Sequence, residues 1–190
     1  MKTKKREILL TNQTLSNLQN KWLLLDTDVF IDASNFAEEF NYFFTKLKDA
    51  NCTLTTISSV VVEFLRGAKS ITDMSNKRAY IESIASILPT GEMASDKGAM
   101  DLIEPQFLVA YGKSGKSVSY TDYLLAKTIK NYGDRMYLIT GNHQDFPTSI
   151  FDRKHVLSVG HEFEVKTYGI LQFNEDKYKL KMSNLLKQEN

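Results

Sequence analysis

The run Trp22-Leu23-Leu24-Leu25, followed at once by Asp26, constrains the fold more than any other stretch of this chain. An apolar run without polar alternation suits a strand covered on both faces, as in a parallel sheet lying under helices. Thr53–Ile57 is short and β-branched, and Met136–Thr140 follows Gly133, so both are expected strands. Shorter strands are expected near Val156–Val159 and over Lys166–Phe173.

Helical patterns fill the intervals. Residues 12–20 carry Leu15 and Leu18 as a short helix. Asn35 and Glu38 have the spacing of an N-cap and its N3 carboxylate, and Phe36, Phe40, Phe43, Phe44 and Leu47 keep helical period to about residue 49. Ser58 is expected to cap a helix carrying Val60, Val61, Phe64 and Leu65 on one face, with Glu63 on its flank. Further helices are expected over 72–87, 93–111, 122–132 and 176–187. Alternation of this kind predicts an α/β fold, with a central, mainly parallel sheet flanked by helices and an added C-terminal strand and helix. The expected organisation is a basic tail and short helix (1–21), one main domain (22–175) and a closing helix (176–190).

Acids recur where such elements end. Asp26 and Asp28 follow the first long strand, Glu63 lies in Ile57–Gly67, Asp122 opens a helix, and Asp145 closes Leu138–Phe146. Ligands of open α/β sheets bind beyond the carboxyl ends of the strands. Four carboxylates meeting there would suit a hard divalent cation, which takes oxygen ligands and assists phosphodiester hydrolysis. Each acid also has a plainer reading: a turn acceptor for Asp26, a solvated helix residue for Glu63, a capping-box partner of Ser119 for Asp122, and a turn before Pro147 for Asp145. Asp32, six residues after Asp26, is expected to be a surface or capping acid.

These segments resemble the motifs of PIN-domain nucleases, the VapC-type toxin ribonucleases among them. That family has an apolar strand ending in Asp-Thr-Asn or a variant, an Ile-Ser-x-x-x-x-Glu helix start, an Asp-x-x-Ile/Leu-Ala helix and a Thr-x-Asn-x-x-Asp-Phe segment. The chain presents Asp26-Thr27-Asp28, Ile57–Gly67, Asp122–Ala126 and Thr140–Phe146 in the same order, within residues 22–150. The resemblance implies a PIN-like fold over 22–175 and an endoribonuclease whose metal-activated water hydrolyses RNA. It implies Mg²⁺ or Mn²⁺ held by Asp26, Glu63, Asp122 and Asp145, with Asp28, Ser58, Thr140 and Asn142 in support. Asp28 stands where Asn or Ser is more usual in the family; it either adds a ligand or binds backbone as Asn would. A protein antitoxin and a homodimer are the partners so implied, besides RNA. The alternatives are an RNA-processing nuclease outside toxin systems and an inactive PIN-like binding module.

Lys113 and Lys116, near Asp122 in sequence, are candidates to grip RNA phosphates, and His143 is a candidate substrate contact. Gly112–Ser117 is close to a phosphate loop, but Ala110 stands where its first glycine belongs and no strand precedes it. The three histidines lack the spacing of a helical zinc site. A single cysteine, Cys52, excludes an intrachain disulfide and fits a reducing compartment, where a buried thiol is expected. No apolar run approaches the ~20 residues of a membrane helix, so a cytoplasmic protein is expected. The formal net charge of +1 does not announce a nucleic-acid binder.

Overall fold

Local sequence explains most of the elements in the computed structural model, which describes residues 8–89, 104–112, 118–161 and 164–188. The chain enters through β1 (Ile8–Leu9) and α1 (Asn12–Leu18), whose first turn is capped by the Thr11 side chain. In β2 (Trp22–Leu25) the three leucines are completely buried, as the unbroken apolar run requires. α2 (Thr27–Asn35) starts one residue later, and α3 (Ala37–Asp49) follows. Asn35 is therefore the last residue of α2, and α3 starts after Phe36 without a side-chain cap.

β3 (Thr53–Ile57) leads directly into α4 (Ser58–Leu65). Ser58 is the first helical residue, not the cap; Ile57 holds that place and offers no capping side chain. α5 (Ile71–Ile84) is capped by Ser70 and stops short of the expected 87, because Ser86–Leu88 form a further strand, β4. The helix expected over 93–111 is described only as α6 (Pro105–Tyr111); residues 93–103 lie outside the described segments. α7 (Tyr120–Tyr132) ends at Gly133, whose φ of +60° an L side chain rarely adopts. β5 (Met136–Thr140), β6 (Phe151–His161), β7 (Glu164–Phe173) and α8 (Glu175–Gln188) complete the chain.

All the described strands join one sheet in the order β1-β6-β7-β5-β2-β3-β4. The half containing β4, β3, β2 and β5 is parallel, whereas β7, β6 and β1 add antiparallel pairs. The sheet is thus mixed, not mainly parallel. The C-terminal addition is a long hairpin, which the sequence suggested only as two short strands. β1 pairs with its outer strand, and Leu18 of α1 is completely buried in the core, with Leu10 and Leu15 packed against it. Among the described residues, no helix is long and apolar enough to cross a membrane.

The order of the parallel strands creates one special place. From β2 the chain advances to β3 and β4, then returns to lay β5 on the other side of β2. Where strand order reverses in this way, right-handed crossovers would carry the connecting helices to opposite faces, and ligands of such sheets bind beyond the C-terminal ends of the strands, here β2 and β5. Asp26 follows β2, and Thr140 ends β5.

The hairpin half is held by rings. Phe107 of α6 is completely buried and lies 5.8–6.3 Å, centroid to centroid, from Tyr111, Tyr123, Phe173 and Tyr178. These rings tie α6, α7, β7 and α8 together. Phe107→Ala is expected to cost about 3–5 kcal/mol, by lost burial and an unfilled cavity. A urea denaturation curve showing an unchanged midpoint would contradict this packing account.

Candidate active site

The strand-to-helix step at β2–α2 is a single residue, Asp26, and its carboxylate is almost wholly buried. Its Oδ1 accepts the Thr27 N–H at 2.6 Å, and its Oδ2 accepts the Thr140 hydroxyl at 2.7 Å from the neighbouring strand. Parallel pairing makes this possible: Leu25 aligns with Ile139, and the Asp26 N–H donates to the Ile139 carbonyl at 3.2 Å. Asn142 N–H donates to Thr140 Oγ1 at 3.0 Å, which leaves the single Thr140 proton for Asp26.

The same turn holds Asp28. Its Oδ2 accepts the N–H groups of Gly141 at 2.6 Å and Asn142 at 3.1 Å, while its buried Oδ1 has no hydrogen-bond partner among the described residues. A Cβ at Gly141 would stand 2.6 Å from that Oδ2, so the close approach depends on glycine. The Asn142 side-chain amide turns the other way and donates to Asp145 Oδ2, within the short 3-10 turn His143–Asp145. Glu63 is exposed on α4, but Thr27 Oγ1 donates to its Oε2 at 2.7 Å and ties it to the β2–α2 corner. Asp122 lies in the first turn of α7, which Ser119 caps with a long 3.5 Å contact to the Asp122 N–H.

These acids share one electrostatic field. Burial, opposed by its two hydrogen bonds, raises the Asp26 carboxyl above its ordinary value, and Glu63 and Asp145 raise it further. Asp122 is pushed up to about 7 by burial and then by Asp26, Asp145 and Glu63. Asp28 also rises to about 7, from burial and from Asp26, against its backbone donors. The α2 N-terminus favours an anion, but desolvation and like charge outweigh it.

The fold therefore brings together Asp26, Asp28, Glu63, Asp122 and Asp145, with Thr140 and Asn142 orienting three of them. It does not gather them into one ready coordination sphere: among the described residues, no three such side chains are placed to hold a metal ion. The donor chemistry nevertheless suits a hard cation, being carboxylate and hydroxyl oxygen, with the orphaned Asp28 Oδ1 among them. Ser58 is exposed in the first turn of α4 and lines a surface cleft together with Glu63. His143 is half-buried against Gly169 of β7, with its Nδ1 enclosed and without a partner among the described residues. Lys113 and Lys116 lie outside the described residues.

Tyr111 was not singled out by sequence. Its ring is 2 % exposed, its hydroxyl has no partner among the described residues, and burial, then Asp122, Asp145 and Asp26, push its phenol up. The only sequence signal for it is its place at the end of an apolar helix. Asp32 is also no surface acid: it is buried and bound by Lys166 Nζ and Tyr168 Oη of β7.

The raised carboxyls have a measurable consequence. The folded state holds the Asp122 proton up to about pH 7, whereas the unfolded chain releases it near 3.8, so this group's contribution to stability falls as pH rises between those values. In EDTA at pH 8, Asp122→Asn is expected to stabilise the fold by about 1–2 kcal/mol after allowance for solvent screening. The gain should vanish at pH 4, and thermal melts showing equal gains at both pH values would refute the assignment. Gly141→Ala, by contrast, should cost about 1–3 kcal/mol through the displaced Asp28 bonds. Chemical denaturation with no loss of stability would show that the Asp28 contact is dispensable.

Comparison with protein-family models, with curated proteins and with solved structures found no match to this chain.

Proposed function

We propose that the chain is a Mg²⁺- or Mn²⁺-dependent endoribonuclease with a PIN-like fold. The observation that carries this reading is the shared field of Asp26, Glu63, Asp122 and Asp145 at the β2/β5 crevice, although the four lie far apart in sequence. Asp26, Glu63, Asp122 and Asp145 would hold the cation, with Asp28 Oδ1 as a further oxygen. A bound cation of this class polarises the scissile phosphate, lowers the pKa of water and stabilises the leaving oxygen.

The protein's own groups supply the order. The Asn142–Thr140 relay fixes Asp26, Thr27 draws Glu63 to the same corner, and the Asn142 amide aims Asp145. Water attacks phosphorus in line, the bond to the bridging 3′ oxygen breaks, and that oxygen leaves as a hydroxyl carrying a proton from the water. The products are a 5′-phosphate and a 3′-hydroxyl.

An inactive scaffold is the weaker reading, because raised carboxyls destabilise a fold at neutral pH without a task to perform. A toxin restrained by an antitoxin and an RNA-processing enzyme are two employments of the same acids. The acids serve both equally, and the toxin role would show as toxicity on expression that Asp26→Asn abolishes.

Purified protein incubated with a panel of structured and unstructured RNAs should cut in Mg²⁺ or Mn²⁺ and stop in EDTA. Asp26→Asn and Asp122→Asn should each lower the rate by at least about a hundredfold. End analysis should find 5′-phosphates. A 2′,3′-cyclic phosphate, which requires the 2′-hydroxyl as nucleophile, would overturn the mechanism.

A further inference from the structure

A cleft of about 290 Å³ opens between the start of α4 and the start of α7, immediately beside the acids. We propose that it binds one unstacked nucleotide of single-stranded RNA, adjacent to the phosphate that is cut. The inference rests on the nuclease reading and names the form of its substrate.

Position is the first argument. Glu63 lines the cleft and also belongs to the acid group through Thr27, and Tyr120 stands two residues before Asp122. A nucleotide in the cleft would thus lie next to the group that faces the reacting phosphate. Lining chemistry is the second argument. Val62, 55 % exposed, and the Tyr120 ring provide apolar surface for the face of a base. Ser59 Oγ and Tyr120 Oη are both enclosed and have no hydrogen-bond partner among the described residues, so a small turn of either side chain toward the cleft would expose an unsatisfied polar group there. Base edges and ribose hydroxyls offer the missing partners.

Charge is the third argument. Arg66 is exposed at the end of α4, lines the same cleft and pairs with no carboxylate among the described residues. Its planar guanidinium suits a phosphate. Ser119 caps α7 on the opposite wall, and the N-terminus of that 13-residue helix adds positive potential. A base enters such a cleft only when it leaves its stack, which favours single strands over duplexes.

The test is fluorescence anisotropy in EDTA, with a short labelled single-stranded RNA, its duplex, and unlabelled nucleoside monophosphates as competitors. Arg66→Ala and Ser59→Leu, which obstructs the cleft, should each weaken single-strand binding by about tenfold. Arg66→Ala should also reduce the salt slope by about one, and circular dichroism should stay unchanged. The duplex should bind more weakly than the single strand. Metal-dependent cutting by the wild type with unaltered binding by both variants would overturn the cleft and leave the nuclease reading standing. Arg66- and Ser59-dependent binding without cutting would support the cleft and overturn the catalytic reading. Displacement by a mononucleotide as effectively as by the unlabelled strand would assign a free nucleotide, and overturn the strand.

Discussion

A buried carboxylate needs donors, and the hydrogen bond from Thr140 to Asp26 is the interaction around which this site is arranged. It requires β5 to lie beside β2 in parallel register, so that both strands end at the same level. It also requires the Thr140 hydroxyl to point its proton at Asp26, which the Asn142 N–H secures by occupying the oxygen. The backbone of residues 141 and 142 then has N–H groups for Asp28, and the Asn142 side chain reaches Asp145. One turn therefore sets three acids, and displacing it would disturb all of them together.

The first turn of α2 carries Asp28, so that helix must be held at a fixed angle. Its N-terminal end is bound to the β5 turn, and its far half is bound through Asp32 to Lys166 and Tyr168 of β7. The Phe36 ring, 5.5 Å from Lys166 Nζ, covers the same cation. Buried ion pairs add little net stability once desolvation is counted, but removing one partner is costly. The pairing ties α2 to β7, and so gives the antiparallel hairpin a part in placing the acids.

What could be read from sequence follows from where the information resides. β2, β5, α7 and the closing helix were legible because period, caps and apolar runs are local properties, as in Leu23–Leu25 or the Ser119 cap. α2 was missed because Val29, Phe30 and Ile31 are poor helix formers; burial of Val29, Phe30 and Ala33 supplies what propensity lacks. β4 was absorbed into the preceding helix pattern, since a three-residue strand has no period of its own. The sheet was expected to be mainly parallel because pairing partners are not written in either strand. The role of Asp32 depended on residues 134 and 136 positions away. The four acids proposed as ligands stand out in sequence by their places near element ends; Tyr111 does not, because its hydroxyl, without a partner among the described residues, meets carboxylates that are distant in sequence.

The treatment of other acids sharpens the distinction between scaffold and site. Asp152 is held by Lys177, Lys154 and Asn174, and its carboxyl lies below the usual range, the Lys177 bond contributing most. Glu104 is lowered in the same direction, chiefly by Lys130 and then with the help of Lys127. Asp32 has Lys166. Asp26, Asp28 and Asp122 have no such cation among the described residues, and all three are raised. A fold that pairs Asp32, Glu104 and Asp152 with lysine, yet leaves Asp26 buried and Asp28 and Asp122 half-buried close to one another, concentrates negative charge in one place. Neutral residues there would relieve the repulsion and stabilise the chain, so stability alone does not account for the acids. On the proposed function, a cation bound among them would convert their mutual repulsion into binding energy.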